Sequence, residues 1–369
     1  MAKPDKKSIA KKQPASLFTE SKARFYAYKA KIVSKDLPVF YNPAMEVNRD
    51  ITILLLNALD DKGLNLCDML AGTGIRTIRF LLELDKGKIA SLTSNDANPK
   101  FPAILKKNLS LNKINASSLI RKRQLIIKNK DANDLLLAST GFSYIDIDPF
   151  GTPNPFLDLA CKRLARDGIL AVTATDTSAL CGTYPRACER KYWADPRHDY
   201  LMHEAGLRIL IRKVQLVAAQ YDKALLPIYS YDHEHHARIF LRATKQKTAV
   251  DDILKLHDYW DDSGPMWIGP LWDPVLAKKM DVKAKDCLKS KQIASLIAKE
   301  AQIPVLGYID IHEVGKKLEM GDLPKTESLI ERIIESGFAA SRTHFSGSGV
   351  RTTMPKDRVE KLVRRLASD

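Results

Sequence analysis

The chain has 369 residues, 45% of them hydrophobic and 7% aromatic, enough for two domains with a full core, and no apolar run approaches the ~20 residues of a membrane span. Five cysteines (Cys67, Cys161, Cys181, Cys188, Cys287) are odd in number and form no C-x-x-C pair, which argues for the reducing cytoplasm and against a disulfide framework or a cysteine zinc site. A net charge of +15 suggests a polyanionic partner without establishing one, because a solvated basic tail gives the same total. Residues 1–35 hold ten Lys/Arg and two acids, are short of large apolar residues, and lack the apolar segment of a secretory signal. They read as a basic arm, flexible at least up to Leu17.

From Val39 to about Thr244, short apolar runs alternate with amphipathic stretches. Leu64–Leu70 is a predicted buried strand, followed by a helix from Ile75 to Leu84. Ser91–Asn95 is the second strand, with a helix through Leu105 and Leu109 after it. Gln124–Lys128 and Phe142–Asp148 are the third and fourth, and a helix from about Pro155 to Leu164 leads into the fifth, Gly168–Thr175. A long helix over Tyr200–Gln220 precedes two strands, Ala224–Tyr231 and Ala237–Ala243, close enough to pair. Such alternation predicts a doubly wound α/β (Rossmann-like) domain with a parallel sheet covered on both faces.

The last ~105 residues change character. Ser290–Ala301, Ile311–Leu318 and Pro324–Ser336 read as short helices, the third with proline in its first turn and Gly337 past its end. Phe338–Phe345 and Gly349–Met354 flank a Ser-Gly-Ser turn and read as a hairpin. Helices followed by a hairpin suggest a smaller α+β, winged-helix-like C-terminal domain. The expected division is 1–35, 36–245 and 246–369.

Four motifs carry chemistry. Asp68-Met-Leu-Ala-Gly72-Thr-Gly74-Ile-Arg76 joins a strand to a helix, and its glycines permit a tight turn and close approach of a ligand to the backbone. It lacks the third glycine of the dinucleotide fingerprint, which counts against a nicotinamide dehydrogenase. Asp96 ends the second strand, where an acid either accepts ribose hydroxyls or caps the next helix. Asp131 in Lys130-Asp131-Ala132 either accepts from an adenine amine or is an N-cap. Asp146-Ile-Asp148-Pro149-Phe150-Gly151 follows the fourth strand and is the most specific of the four. An exocyclic amine is a poor nucleophile because its lone pair is delocalised, and an oxygen acceptor on its N–H helps release that pair. An aromatic ring stacks on a base drawn out of its helix. The alternative is a buried Asp148 capping a helix, with Phe150 in the core. Asp232-His-Glu-His-His236 invites a metal reading but lacks the H-E-x-x-H spacing that places two ligands on one helix face.

Taken with Phe40-Tyr-Asn-Pro-Ala-Met-Glu-Val-Asn-Arg49-Asp50, Val172-Thr-Ala-Thr-Asp176-Thr-Ser-Ala-Leu-Cys181, Tyr184-Pro-Arg186, Gly269-Pro-Leu and Ser341-Arg342-Thr-His344-Phe345, these motifs resemble the tRNA guanine-N2 dimethyltransferase family, its compact archaeal members above all. The resemblance covers roughly residues 37–355. It implies S-adenosyl-L-methionine as cofactor, bound by Arg49, Asp68, Gly72, Gly74, Arg76, Asp96, Asp131 and Ala132. It also implies a guanine at tRNA position 26, with Asp148 accepting from its amine and Phe150 stacking on it, Phe40 on the other face. The chain has Ala44 where many relatives carry arginine, and none of the four zinc cysteines some relatives have. Neither an obligatory protein partner nor a membrane association is expected. A methyltransferase acting on adenine, or an RNA-binding protein without catalysis, would share part of this pattern.

Overall fold

The computed structural model describes residues 15–27, 41–285 and 288–368. It opens on a hairpin, β1 (Ser16–Glu20) and β2 (Ala23–Ala27), turning at Ser21-Lys22 with Ser21 at φ 49°. Ser16 and Leu17 lie in β1, which corrects the expected flexibility at those two residues. Ala23, Phe25 and Ala27 alternate onto one face and are fully buried, the period-2 signature of a half-buried strand. Residues 1–14 and 28–35 of the expected arm lie outside the described residues.

A helix that the sequence reading left unassigned, α1 (Glu46–Ala58), comes next and is buried almost along its whole length. Then follow β3 (Leu64–Asp68), α2 (Ile75–Glu83), β4 (Ile89–Asn95), α3 (Phe101–Leu111), α4 (Ala116–Arg121), β5 (Leu125–Lys128) and α5 (Ala132–Leu137). The chain continues through β6 (Phe142–Ile147), α6 (Asn154–Arg163), β7 (Leu164–Ala174), α7 (Thr177–Leu180), α8 (Pro185–Tyr192), α9 (Met202–Ala219), β8 (Ala224–His233) and β9 (His236–Thr244). The seven strands β3 to β9 form one sheet in the order β5-β4-β3-β6-β7-β9-β8, parallel except for β9, which runs antiparallel to both neighbours. This is the doubly wound sheet expected from the strand–helix alternation. Winding starts at β3, moves out to β5, and returns on the other side through β6. The order therefore reverses between β3 and β6, and a crevice opens beyond their carboxyl ends.

The remaining elements are α10 (Lys247–Leu254), β10 (His257–Trp260), β11 (Ser263–Trp267), α11 (Pro274–Lys283), α12 (Lys291–Glu300), β12 (Ile309–Asp310), α13 (Ile311–Lys317), α14 (Thr326–Glu335), β13 (Ala340–Arg342), β14 (Gly349–Thr352) and α15 (Lys356–Ser368). Buried side chains from Val250 to Ala301 join the core of the large sheet, with α11 packed on α1. The core therefore has no break at residues 245–246. A second core, from Ile311 to Val363, begins after Ala301. Around it lies a three-stranded antiparallel sheet in the order β12-β14-β13, with β12 a strand that no sequence signal announced. Helix α14 starts at Thr326, two residues after Pro324, because Lys325 is extended at φ −60° and ψ 139°. Among the described residues, no helix is long and apolar enough to cross a membrane.

Candidate active site

The crevice at the reversal point holds a cavity. Its floor is the turn after β3 (Asp68 to Ile75) together with Arg76, one wall is Asp148-Pro149-Phe150 after β6, and Thr175 after β7 lies alongside. Tyr41, Asn42 and Arg49 close it from the α1 side, and Glu234, His235 and His236 from the β8–β9 turn. The parallel strands stop together here, so residues far apart in sequence meet in a few ångströms of space.

Beneath Asp148 lies a buried charge network. Arg76 donates from Nη2 to Asp148 Oδ2 at 2.5 Å and to Asn48 Oδ1 at 2.8 Å. Its Nη1 reaches Thr52 Oγ1 and Asp146 Oδ2, both at 3.2 Å. Arg238 on β9 grips the other side of Asp146 at 2.7 and 3.1 Å, and the Tyr144 hydroxyl donates to the same carboxylate at 2.5 Å. The two guanidinium groups hold the Asp146 carboxyl below its ordinary range against the cost of burial. Among the described residues, only Oδ2 of Asp148 is engaged. Gly151, just beyond, donates to Thr175 Oγ1 at 2.7 Å, and its carbonyl accepts from Thr175 N at 3.0 Å, which pins this loop to the one after β7. Phe150 stands 48% exposed at the rim, so it is not a core residue.

The glycine turn is built for close approach. Gly74 caps α2 at φ 78°, and a Cβ there would meet Leu105 Cδ1 at 2.4 Å. Asp96 accepts from Gly72 N at 2.8 Å and from Asn98 N at 2.9 Å, so it braces the turn from the neighbouring loop. Asp131 is the N-cap of α5, accepting through Oδ1 from Asn133 N at 2.8 Å, and Ala132 is buried just after it. Two side chains the sequence reading passed over lace these loops together. Asn95 donates to Met69 O at 3.1 Å and Lys130 O at 3.0 Å, and Asn129 to Asp96 O at 2.6 Å and Asn98 O at 2.9 Å. The turn, Asp96 and Asp131 thus lie along one edge of the sheet, while the cavity wall itself takes Arg49, Asp68, Gly72 and Arg76 from the expected set. Asp68 is buried and accepts from Thr77 Oγ1 at 2.7 Å; burial pushes its carboxyl up to about 7.

This geometry has counterparts. A profile of the N2,N2-dimethylguanosine tRNA methyltransferases matches residues 20–260 and 255–364. The chain belongs to that family. It is 35% identical to the tRNA (guanine(26)-N(2)/guanine(27)-N(2))-dimethyltransferase of Aquifex aeolicus, over 91% of this chain and 92% of that protein. It is also 35% identical to the tRNA (guanine(26)-N(2))-dimethyltransferase of Pyrococcus horikoshii, over 94% and 97%. The solved complex of Trm1 from Pyrococcus horikoshii with S-adenosyl-L-methionine superposes with a TM-score of 0.82, at 33% identity, covering 94% of this chain and 99% of that one.

The family match begins at residue 20, inside the hairpin, and the structure shows what Glu20 does there. It accepts from Arg49 at 2.6 Å through both oxygens and from Arg79 Nη1 at 3.0 Å, while Tyr41 donates to it at 3.2 Å. The hairpin therefore holds the cavity wall in place. Its sequence signal was the alternation through Ala23, Phe25 and Ala27. Phe40 lies outside the described residues. Asp176 sits beside the cavity wall, bonded to Tyr192 at 2.6 Å and Lys191 at 2.9 Å. The second half of the Asp232–His236 run, read from sequence as a metal decoy between strands, lines the cavity mouth.

Proposed function

We propose that this protein transfers methyl groups from S-adenosyl-L-methionine to the exocyclic N2 of guanine 26 in tRNA. The observation that carries the reading is Asp148, fixed by Arg76 at 2.5 Å beside the exposed ring of Phe150, at the sheet's reversal point in a chain of this family.

The residues fit the cofactor. A turn that keeps side chains away at Gly74, an acid at the end of β4 and a cap at the start of α5 suit a nucleoside lying across the strand ends. Arg49, Asp68, Gly72, Gly74, Asp96, Asp131 and Ala132 would hold it. The bound cofactor supplies an electrophilic methyl group. Arg76 we assign to Asp148, since both its Nη groups are already engaged within the protein. Asp148 accepts a proton of the guanine amine by hydrogen bond, orienting the lone pair and drawing it out of conjugation. Phe150 offers a stacking face at the rim to the withdrawn base, and the family resemblance would assign the base's other face to Phe40.

The second core we read as a winged-helix-like unit, from its order of strand, two helices, hairpin and helix. Its α15 presents Lys356, Arg358, Lys361, Arg364 and Arg365, all exposed, which suits a phosphate backbone. Four of the five cysteines are buried and unpaired, which supports a cytoplasmic setting.

The test is mass spectrometry of nucleosides from unmodified tRNA incubated with the protein and isotope-labelled cofactor. N2-methylated and N2,N2-dimethylated guanosine are the expected products. Methyladenosine, or no labelled nucleoside, would overturn the reading.

A further inference from the structure

One side chain in the cavity wall has a ring nitrogen without a hydrogen-bond partner among the described residues. His236 opens β9 directly after the Glu234-His235 turn, is 2% exposed, and lines the cavity with Asp148 and Phe150. Tyr231 and His233 pack edge-on to its ring at 5.7 and 6.0 Å, which fixes its orientation from two sides. Its Nε2 is buried without a hydrogen-bond partner among the described residues. An orphaned buried nitrogen is costly, and one held in a cavity wall calls for a ligand to complete it. The charged and titratable groups acting on the ring are Asp148 from the loop after β6, His233 from β8, Arg238 from β9 and Arg49 from α1. Burial is the largest influence, the charges of His233, Arg238 and Arg49 act with it against Asp148, and together they push the imidazole down to about 4, so the ring is neutral near pH 7. A neutral imidazole carries its proton on one nitrogen and offers a lone pair on the other.

We propose that His236 is a specificity-determining residue whose Nε2 accepts from the N1–H of the target guanine while Asp148 accepts from the adjacent N2 amine. The inference rests on the function proposed above. Guanine presents two neighbouring donors, N1–H and N2–H, on its Watson–Crick edge. Adenine presents a bare N1 there, which would set lone pair against lone pair. Two acceptors in one cavity wall thus read guanine and reject adenine, because the mismatched edge leaves buried polar groups unpaired.

The test compares tRNA carrying guanine at the target position with tRNA carrying 2-aminopurine there, which keeps the amine but has no N1–H. Single-turnover rates are measured at saturating S-adenosyl-L-methionine. Wild type should favour guanine by roughly 10- to 100-fold. His236→Ala should lower the guanine rate to the level of 2-aminopurine and leave the 2-aminopurine rate within about twofold of wild type. His236→Gln, whose amide carbonyl can still accept, should keep part of the preference. Melting temperatures of both variants separate a folding defect from lost discrimination. If His236→Ala slows both substrates equally, the ring is structural, and if it slows neither, it does not touch the base; either result overturns the proposal. Failure of the wild type to methylate the guanine tRNA would instead overturn the parent reading.

Discussion

Two clusters of arginine and carboxylate lie buried in this molecule, one under the cavity and one where the second core meets the first. At the junction, Glu204 on α9 binds Arg208 at 2.7 Å, Arg351 on β14 at 2.5 Å and Gly307 N at 3.0 Å. Glu300 on α12 binds Arg351 at 3.1 Å, His344 Nδ1 at 2.5 Å, His344 N at 3.0 Å and the Thr343 hydroxyl. All four carboxylate oxygens there are occupied, and Glu204 is pulled down to about 2 because the attraction of two arginines exceeds the cost of burial. Under the cavity the composition is similar but the arrangement stays open. Among the described residues, Asp148 is engaged through one oxygen only, and burial pushes Asp68 up to about 7, while each cluster holds one imidazole whose Nε2 has no partner, His236 here and His344 at the junction. The same residue types make a fastener when every carboxylate oxygen finds a donor, and a site when some are left for a ligand.

The sharpest way to break this contrast is to remove one group from each cluster. Asp148→Ala should lower single-turnover methylation by about 10²- to 10⁴-fold. Its affinity for S-adenosylhomocysteine and its melting temperature should stay close to wild type, and near-normal turnover would move the acceptor elsewhere. Arg351→Ala should do the reverse. It leaves Glu204 and Glu300 buried without their shared partner, and chemical denaturation should show a loss of about 3–5 kcal/mol. A small loss would mean that water or rearrangement heals the junction.

Acidity sharpens the comparison further, because Glu204 in one cluster and Asp68 in the other respond to pH with opposite sign. Glu204 has a folded-state value below its ordinary 4.5. Its contribution is therefore complete above pH ~4.5 and is lost as pH falls toward 2. Asp68 has a folded-state value above its ordinary 3.8. The folded protein keeps a proton the unfolded chain has released, so stability falls as pH rises from about 4 to 7. Asp68→Asn removes this dependence. Stability curves of variant and wild type should diverge by about 1.4 kcal/mol for each pH unit crossed within that window, with the variant gaining toward neutral pH. Parallel curves would show that Asp68 titrates normally.

Two smaller effects concern substrate binding. Phe150→Ala should weaken tRNA binding by about 1–3 kcal/mol of base stacking, while Phe150→Tyr should be mild. Deleting residues 1–14 should raise the tRNA Kd modestly and flatten its salt dependence, by ~0.7–0.9 in log K per lost phosphate contact per log unit of salt. An unchanged salt slope would make that segment a bystander.

The sequence by itself determined the sheet and the chemistry at its edge. Strands β3 to β7 are apolar runs punctuated by glycine, proline and acids, and each functional motif sits at a strand end, where periodicity stops. A parallel sheet brings such ends together whatever its details, so Asp148, Phe150 and the glycine turn were legible as a group. Only the tertiary structure decided which polar groups face one another. Nothing local marks Glu20 as the partner of Arg49, since 29 residues separate them and the hairpin carrying Glu20 reads as a basic tail by composition. Arg76 looked like a cofactor ligand until Asn48, Thr52, Asp146 and Asp148 were seen around it. His236 looked like part of a histidine run until the turn between β8 and β9 carried it into the cavity wall. Helix and strand periodicity reports which face a residue takes, which is a property of its own segment. The partner of a buried charge is a property of two segments, and the chain writes down only one of them at a time.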